Sequence, residues 1–328
     1  MSREGIKEYG DQRRTRKVNT GKFEHDLRES QVTRDLNFKT RASQRESGVM
    51  AVAKKDVVTV PPTTTIMGAA RTMVGYGYRR LPVADAGTRR IKGICTVIDI
   101  IDFLGGGEKR RIIDRKYDGN MIVAINGPIT EIMEEDVATV ADTASLEDAV
   151  KKMVDRSVGG VPVVDPAGVI VGIITERDIV HMMGETVSGR RVKDYMSARV
   201  TTAPPDTSIE EAAKTMLSSG FRRLPVVTNG FVCGILTSTD IMRYLGKGEA
   251  FKKLVTGNVE EAFSAPISGI MKGDIITAQP DQDLEAVSRT MHQNKIGSMP
   301  VISGQELVGI ITERDILMSM RPHEKRGR

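Results

Sequence analysis

Tryptophan is absent from the sequence, and aromatic residues make up only 4% of its 328 positions. Cysteine is nearly absent as well: Cys95 and Cys233 are far apart, and the four histidines lack the spacing of metal ligands. These absences argue against a disulfide framework and against a cysteine-rich zinc site, and they fit a reducing compartment. We therefore predict a protein that binds no metal.

Long apolar runs are also missing. No stretch of about 18 consecutive apolar residues occurs, so the sequence predicts no membrane span. The first residues, MSREGIKEYGDQRR, contain no apolar segment of the kind that a secretory signal needs. Hydrophobic residues at 39% and charged residues at 28% are typical of a globular protein. We expect a cytoplasmic protein with no membrane attachment.

The net charge of +5 is concentrated at the two ends of the chain. Residues 1–48 contain twelve basic and eight acidic residues, and residues 322–328 continue the basic character. The sequence between these tails is close to neutral. Such tails are typical of solvated, disordered segments, and they also fit an anionic partner.

Four segments share one helical pattern, in which apolar residues recur at i, i+3, i+4 and i+7 and the last is a methionine. The segments are IMGAARTM from Ile66, LEDAVKKM from Leu146, IEEAAKTM from Ile209 and LEAVSRTM from Leu284. Only the fourth departs from the pattern, with Ser288 at i+4. The spacing predicts four amphipathic helices, each with its methionine in a core.

Nine residues after each methionine, a proline opens a short apolar segment that we predict to be a strand. A second strand follows, ends in Thr-x-x-Asp and leads into another apolar helix. A short strand also precedes the first helix, so each unit is predicted as strand, helix, strand, strand, helix. The prolines are Pro82, Pro162, Pro225 and Pro300.

A coarser repeat relates the two halves of the chain. Repeats 1 and 3 share GYRRLPV and GFRRLPV, whereas repeats 2 and 4 share GIITERDIV and GIITERDIL. A duplicated pair of repeats is the simplest explanation. The predicted boundaries are a basic tail at 1–48, repeat 1 at 49–105, a linker at 106–127, repeat 2 at 128–186, repeat 3 at 190–247, a linker at 248–264, repeat 4 at 265–321 and a basic tail at 322–328.

The proline strand, the Gly-h-h-Thr-x-x-Asp stretch and the order of elements resemble the CBS domain family, named after cystathionine beta-synthase. The resemblance implies an α/β fold in which two repeats pack through their sheets into a tandem (Bateman) module. Two such modules in one chain are similar to the gamma regulatory subunit of AMP-activated protein kinase, whose four repeats form a disc. Since one chain can complete such a disc, a monomer and a homodimer are both open.

The Thr-x-x-Asp residues are the first candidate ligand site. A threonine at a helix N-cap lies beside free N–H groups that suit phosphate, and an aspartate can accept both ribose hydroxyls. In the resembled family, matching residues contact phosphate and ribose. The alternative is a capping box, in which the two residues only close the helix end. The pairs are Thr96/Asp99, Thr175/Asp178, Thr237/Asp240 and Thr312/Asp315.

Arginines form the second candidate site, because their planar fork suits phosphate oxygens. They lie before the proline strand in repeats 1 and 3, and beside the aspartate in repeats 2 and 4. The alternative is that they are strand-edge charges or pair with local acids. Where repeats 1 and 3 have arginines before the proline strand, repeats 2 and 4 have Gly159-Gly160 and Gly297-Ser298. These small residues admit a close approach of a ligand to the backbone. The arginines are Arg79, Arg80, Arg222, Arg223, Arg177 and Arg314.

Two functions compete. In the first, the protein senses an adenine nucleotide (AMP, ADP or ATP) between paired repeats and signals to a partner protein; S-adenosylmethionine is a further ligand that the resemblance allows. The adenine is expected against Val58, Ala138, Thr201 and Ile276. In the second, the basic tails attach the protein to RNA or to a ribosome. No P-loop, nucleophile elbow or other catalytic constellation occurs, so we predict that it is not an enzyme.

Overall fold

The computed structural model describes residues 48–247 and 263–320, which belong to one compact unit. Apart from Gly48, the two predicted basic tails lie outside these residues, and so does most of the predicted linker at 248–264. The elements repeat the predicted order. Repeat 1 contains α1 (Ile66–Tyr76), β1 (Arg80–Ala84), β2 (Ile91–Thr96) and α2 (Val97–Leu104). The linker that follows contains α3 (Arg111–Lys116) and α4 (Met121–Ala124).

The other repeats have the same elements. Repeat 2 contains β3 (Val140–Ala141), α5 (Leu146–Asp155), β4 (Gly160–Val164), β5 (Ile170–Thr175) and α6 (Glu176–Met183). Repeat 3 contains α7 (Ile209–Ser219), β6 (Arg223–Thr228), β7 (Phe231–Thr237) and α8 (Ser238–Gly246). Repeat 4 contains α9 (Leu284–Gln293), β8 (Ser298–Ser303), β9 (Glu306–Thr312) and α10 (Glu313–Ser319). The α/β fold class is therefore confirmed.

The first helix of each repeat forms where the sequence predicted it. Each has an N-cap whose side-chain oxygen accepts a hydrogen bond from a backbone N–H of the first turn, which satisfies a donor that the helix itself cannot pair. The predicted apolar stripe faces inward, and the four methionines are at most 2% exposed. The N-caps are Thr65, Ser145, Ser208 and Asp283.

The repeat prolines lie inside their strands rather than at the first position, which corrects the sequence prediction. Pro82 is the third residue of β1 and pairs with Ile94 of β2. Its carbonyl accepts from the N–H of Val60 on the opposite edge, at 3.1 Å. Because the N–H and carbonyl of one residue point to the same edge of a strand, the missing N–H of proline costs no bond to β2. Strand pairing can therefore begin two residues earlier.

The strand that precedes each first helix is much shorter than predicted. In repeat 2 it is β3, which pairs in parallel with β4. In the other three repeats it is reduced to single parallel bridges, Val60 to Val83, Ala203 to Val226 and Ala278 to Val301. A proline follows within two residues of each single bridge and has no N–H to extend the ladder, whereas Asp142 in repeat 2 donates to Val164.

Each repeat is completed by a short arm from its neighbour in sequence. The arm at residues 129–134 is the start of repeat 2 but lies on repeat 1, where Glu134 and Ile94 exchange backbone hydrogen bonds of 2.8 and 2.9 Å. The arm at residues 49–54 lies on repeat 2 in return, through Lys54 and Ile173. The same exchange joins repeats 3 and 4, through Lys272 to Ile235 and Ser197 to Ile310. The arms therefore tie the repeats into two pairs, which we call module 1 (repeats 1 and 2) and module 2 (repeats 3 and 4).

Helices join the two modules. Helices α1 and α2 contact α8, and α6 contacts α9 and α10. One core cluster consequently combines residues of repeats 1 and 3, and a second combines residues of repeats 2 and 4. Burial of these apolar faces makes the modules parts of one folded body. All four repeats are thereby brought to a common junction.

We expect the arms to be sensitive to added volume in the second strand. A Cβ at Gly234 of β7 would lie 2.6 Å from Sδ of Met271 in the arm on repeat 3, and 3.1 Å from the backbone oxygen of Lys272. Gly234→Ala should therefore lower the free energy of unfolding by about 1–3 kcal/mol, as overpacking typically does. Urea unfolding measures the effect. Gly269→Ala is the control, because open space surrounds Gly269; equal losses in the two variants would contradict the arm packing.

Candidate ligand site at the four-repeat junction

All four Thr-x-x-Asp pairs form capping boxes. In each, the backbone N–H and the hydroxyl of the threonine donate to Oδ2 of the aspartate, and the backbone N–H of the aspartate donates to the threonine Oγ1. The hydroxyl-to-carboxylate distances are 2.7, 2.5, 2.5 and 2.6 Å in chain order. The capping alternative is thus realised in every repeat, but it uses only one carboxylate oxygen. Oδ1 remains available for other partners.

The environment of Oδ1 distinguishes the four aspartates. Lys109 pairs with Asp99, and Arg243 pairs with Asp240 at 2.8 Å. The Asp240 side chain is only 1% exposed, and Lys109 also donates to the carbonyl of Ile132. In repeats 1 and 3, an internal cation therefore already occupies the predicted ribose acceptor.

In repeats 2 and 4, Oδ1 of the aspartate is held less firmly by the protein. Oδ1 of Asp178 is 3.1 Å from Nζ of Lys54, whose side chain is 61% exposed and easily displaced. Within residues 48–247 and 263–320, no lysine or arginine pairs with Asp315. Burial raises the pKa of Asp315, although the nearby charge of Arg223 acts in the opposite direction. The capping bonds from Thr312 reach only Oδ2 of this carboxylate, so a ligand hydroxyl could add a hydrogen bond at Oδ1.

Four of the six predicted arginines contact two buried glutamates, Glu176 and Glu313, at the start of α6 and α10. Oε1 of Glu313 is 2.6 Å from Nε of Arg177, and its Oε2 is 3.5 Å from Nη1 of Arg79. Oε1 of Glu176 is 3.2 Å from Nη1 of Arg314, and its Oε2 is 3.7 Å from Nη2 of Arg222. Each glutamate thus meets arginines from two other repeats, and the two arrangements correspond through the duplication.

The remaining two arginines bind backbone. Nη1 of Arg80 donates to the carbonyl of Gly159 at 2.7 Å, and Nη1 of Arg223 donates to the carbonyl of Gly297 at 2.9 Å. A Cβ at Gly160 would lie 1.8 Å from Nη1 of Arg80. The glycines were expected to admit a ligand, but in the structure their missing side chains admit the guanidinium groups.

We call these eight residues, the six arginines with Glu176 and Glu313, the central arginine cluster. Within the cluster, six guanidinium groups face two carboxylates, which leaves four positive charges unmatched before the neighbouring carboxylates of Asp178 and Asp315 are counted. Burial, and then repulsion from Arg222, lowers the pKa of Arg80 to about 10. The same two causes lower the pKa of Arg223 to about 9. Both arginines remain protonated at pH 7, so the cluster attracts anions.

Sequence reasoning found the arginines but missed their partners. The arginines before the proline strand do pair with acids, but with distant ones: Arg79 contacts Glu313 and Arg222 contacts Glu176, each in another repeat. The signal was present in the shared Thr-Glu-Arg-Asp of repeats 2 and 4, since that glutamate occurs in neither repeat 1 nor repeat 3. Lys54, Lys109 and Arg243 had no recognisable pattern.

The residues expected to face an adenine are all half-buried, and Val58, Ala138 and Ile276 pack against the cores. A separate cleft of about 370 Å³ on repeat 2 is lined by Thr139, Asp148 and their neighbours, and none of the predicted site residues lines it. Within the described ranges, no helix is long and apolar enough to cross a membrane, and no three His, Cys, Asp or Glu side chains are grouped to hold a metal ion.

Comparison with known proteins identifies relatives of the whole described body. The family model of the CBS domain matches residues 49–106, 129–185, 192–247 and 267–321. Protein MJ1225 of Methanocaldococcus jannaschii is 42% identical over 272 residues, which cover 82% of this chain and 97% of that protein. Its crystal structure, described as that of a candidate archaeal homologue of gamma-AMPK, matches with a TM-score of 0.79 over 83% of this chain and 99% of that one.

Two further relatives are more distant. A Thermofilum pendens protein, described as an uncharacterised 33.4 kDa protein in a ribosomal RNA operon, is 27% identical over 82% of this chain and 91% of its own length. The crystal structure of an uncharacterised conserved protein from Pyrococcus horikoshii covers 83% of this chain and 99% of that one, with a TM-score of 0.54 and 24% identity. This last likeness concerns the fold alone.

The capping boxes give a prediction that does not depend on ligand. Thr237→Ala should lower the free energy of unfolding by about 1 kcal/mol, because the start of α8 loses its cap. Thr239→Ala is the matched control, since Thr239 lies in the first turn of the same helix and does not cap it. Urea denaturation of both variants, without nucleotide, measures the difference. Indistinguishable stabilities would mean that the threonine does not close the helix.

Proposed function

Because the chain belongs to the CBS domain family, we propose that it is a regulatory protein that binds an adenosyl nucleotide between paired repeats. The observation that carries this proposal is the central arginine cluster, whose four unmatched positive charges lie where all four repeats meet. A cluster of this charge favours AMP, ADP or ATP over S-adenosylmethionine, because the sulfonium of the latter adds positive charge rather than neutralising it.

Repeats 2 and 4 offer the best ribose acceptors. Asp178 is close enough to Arg80 to oppose the lowering of that arginine's pKa, and Arg223 is close enough to Asp315 to oppose the raising of that aspartate's pKa. A nucleotide whose ribose lies on either aspartate would therefore direct its phosphate into the cluster. Asp99 and Asp240 are less suited, because a lysine and an arginine already hold them. We therefore propose one principal site in each module, related by the duplication.

The cluster also provides a route by which a ligand could signal. Its ion pairs join repeat 1 to repeat 4 and repeat 3 to repeat 2. A phosphate that binds these arginines would therefore change contacts between the two modules. A ligand shifts a conformational equilibrium only by its differential affinity for the two states. Rearranged cross-module ion pairs would supply that difference, which a partner protein could read as a changed surface.

We predict that the two pairs of aspartates respond differently to mutation. Asp178→Ala and Asp315→Ala should each weaken binding of the preferred nucleotide at one site by about tenfold or more, which corresponds to about 1.4 kcal/mol. Asp99→Ala and Asp240→Ala are matched controls, because they remove the same capping box from repeats 1 and 3. Isothermal titration with AMP, ADP, ATP and S-adenosylmethionine measures both effects. Equal losses in all four variants, or no binding to the wild type, would contradict the proposal.

A second candidate function is attachment to RNA or a ribosome through the basic tails. One observation favours it: the Thermofilum pendens relative is described as encoded in a ribosomal RNA operon. If the tails bind RNA, affinity should fall steeply with salt and removal of residues 1–48 should abolish it. Fluorescence anisotropy with a labelled ribosomal RNA fragment tests this. Salt-independent binding that survives the truncation would contradict it.

A further inference from the structure

Glu176 and Glu313 are the unusual members of the central arginine cluster. Their side chains are 5% and 7% exposed, and they lie among the arginines that are proposed to bind phosphate. A site built solely to bind phosphate would gain nothing from two buried carboxylates. Their position therefore requires an explanation beyond the binding of an anion.

One part of the explanation is that carboxylate and phosphate use the same donors. Arginine engages both through the same fork of N–H groups. The four contacts to the glutamates involve Arg79, Arg177, Arg222 and Arg314, so these arginines are partly engaged before any ligand arrives. Arg80 and Arg223 donate instead to backbone carbonyls, which carry no charge. A phosphate group can therefore reach Arg80 or Arg223 without displacing a carboxylate.

A chain of two or three phosphate groups needs more donors than a single phosphate group does. Beyond the first phosphate group, the donors that remain belong to the four arginines that contact Glu176 and Glu313, including Nη2 of Arg177, which is buried without a hydrogen-bond partner. To use them, a second or third phosphate must either displace a carboxylate or lie beside it. A displaced carboxylate would remain buried without its partner, and a buried unpaired charge is strongly unfavourable. A retained carboxylate would repel the chain.

The net charge of the cluster also disfavours long phosphate chains. A phosphate monoester carries about −1.5 to −2 near pH 7. With one nucleotide in each module, two single phosphate groups approximately neutralise the four positive charges left unmatched within the cluster, whereas two longer chains exceed them. Each further phosphate adds negative charge for which the glutamates leave no counterpart.

We propose that Glu176 and Glu313 are specificity-determining residues that limit the phosphate charge accepted by the central arginine cluster, so that the protein discriminates against oligophosphate chains and in favour of single phosphate groups. The inference rests on the proposed function, because it concerns the phosphate part of the same site. It adds the direction of the preference and the two residues that set it.

The test compares the full-length wild type with the double variant E176Q/E313Q, which keeps the shape of both side chains and removes both charges. The probes are inorganic phosphate, pyrophosphate and tripolyphosphate, measured by isothermal titration at fixed ionic strength. We expect the affinity for tripolyphosphate, relative to phosphate, to rise by about tenfold or more in the double variant. Pyrophosphate should change by an intermediate factor.

Glu131→Gln is the matched control, because Glu131 is a mostly buried glutamate that pairs with Lys116 and Tyr117 outside the cluster. Its relative affinities should stay within about twofold of the wild type. The basic tails are present in every protein compared, so any binding of polyphosphate to them cancels. If the double variant does not give the wild-type circular dichroism spectrum, E176Q and E313Q are measured separately, and each should shift the ratio by about threefold.

An unchanged ratio in folded E176Q/E313Q would overturn the inference, and so would the absence of binding of any of the three anions to both proteins. The outcome is distinguishable from failure of the proposed function. Nucleotide binding with an unchanged anion ratio contradicts only the role of the glutamates. A shifted anion ratio without nucleotide binding contradicts only the adenosyl ligand.

Discussion

The ion pairs between arginines and two buried glutamates connect parts of the chain that no local structure joins. Glu176 and Arg314 are 138 positions apart, and Arg177 and Glu313 are 136 apart. Buried charges are costly to desolvate, and they are tolerated where opposite charges and hydrogen bonds surround them. The side chains of the cluster can satisfy one another only if all four repeats meet in one arrangement. The junction therefore fixes how the two modules face each other, beyond what apolar helix packing alone would specify.

The duplication explains why this junction can exist. Repeats 1 and 3 each contribute two arginines before a proline strand, and repeats 2 and 4 each contribute a Glu-Arg pair at the start of a helix. The arms tie repeat 1 to repeat 2 and repeat 3 to repeat 4, whereas the helices join repeat 1 to repeat 3 and repeat 2 to repeat 4. Each arginine pair of repeats 1 and 3 therefore comes close to the Glu-Arg pair of both modules. The arginines and glutamates of both halves of the chain thereby form a single cluster, which has an excess of positive charge.

Local spacing was sufficient to predict the repeats, the amphipathic helices, the second strands and the capping residues, because each depends on neighbours within about one turn or one strand. Local spacing did not predict the features that depend on pairing between residues far apart in sequence. The first strand shrinks to a bridge because the following proline cannot extend a ladder, and proline strands start earlier because their free edge faces away from the partner strand. The glutamates of the cluster were overlooked because their partners lie in other repeats, which spacing within one repeat cannot indicate.

We propose that the arginines at the four-repeat junction bind the phosphate of the ligand. A crystal structure of the full-length protein with AMP tests this most directly. We expect phosphate oxygens within hydrogen-bonding distance of Arg80 or Arg223, and the ribose hydroxyls on Asp178 or Asp315. A phosphate bound away from all six arginines, with the ion pairs of Glu176 and Glu313 unchanged, would contradict it.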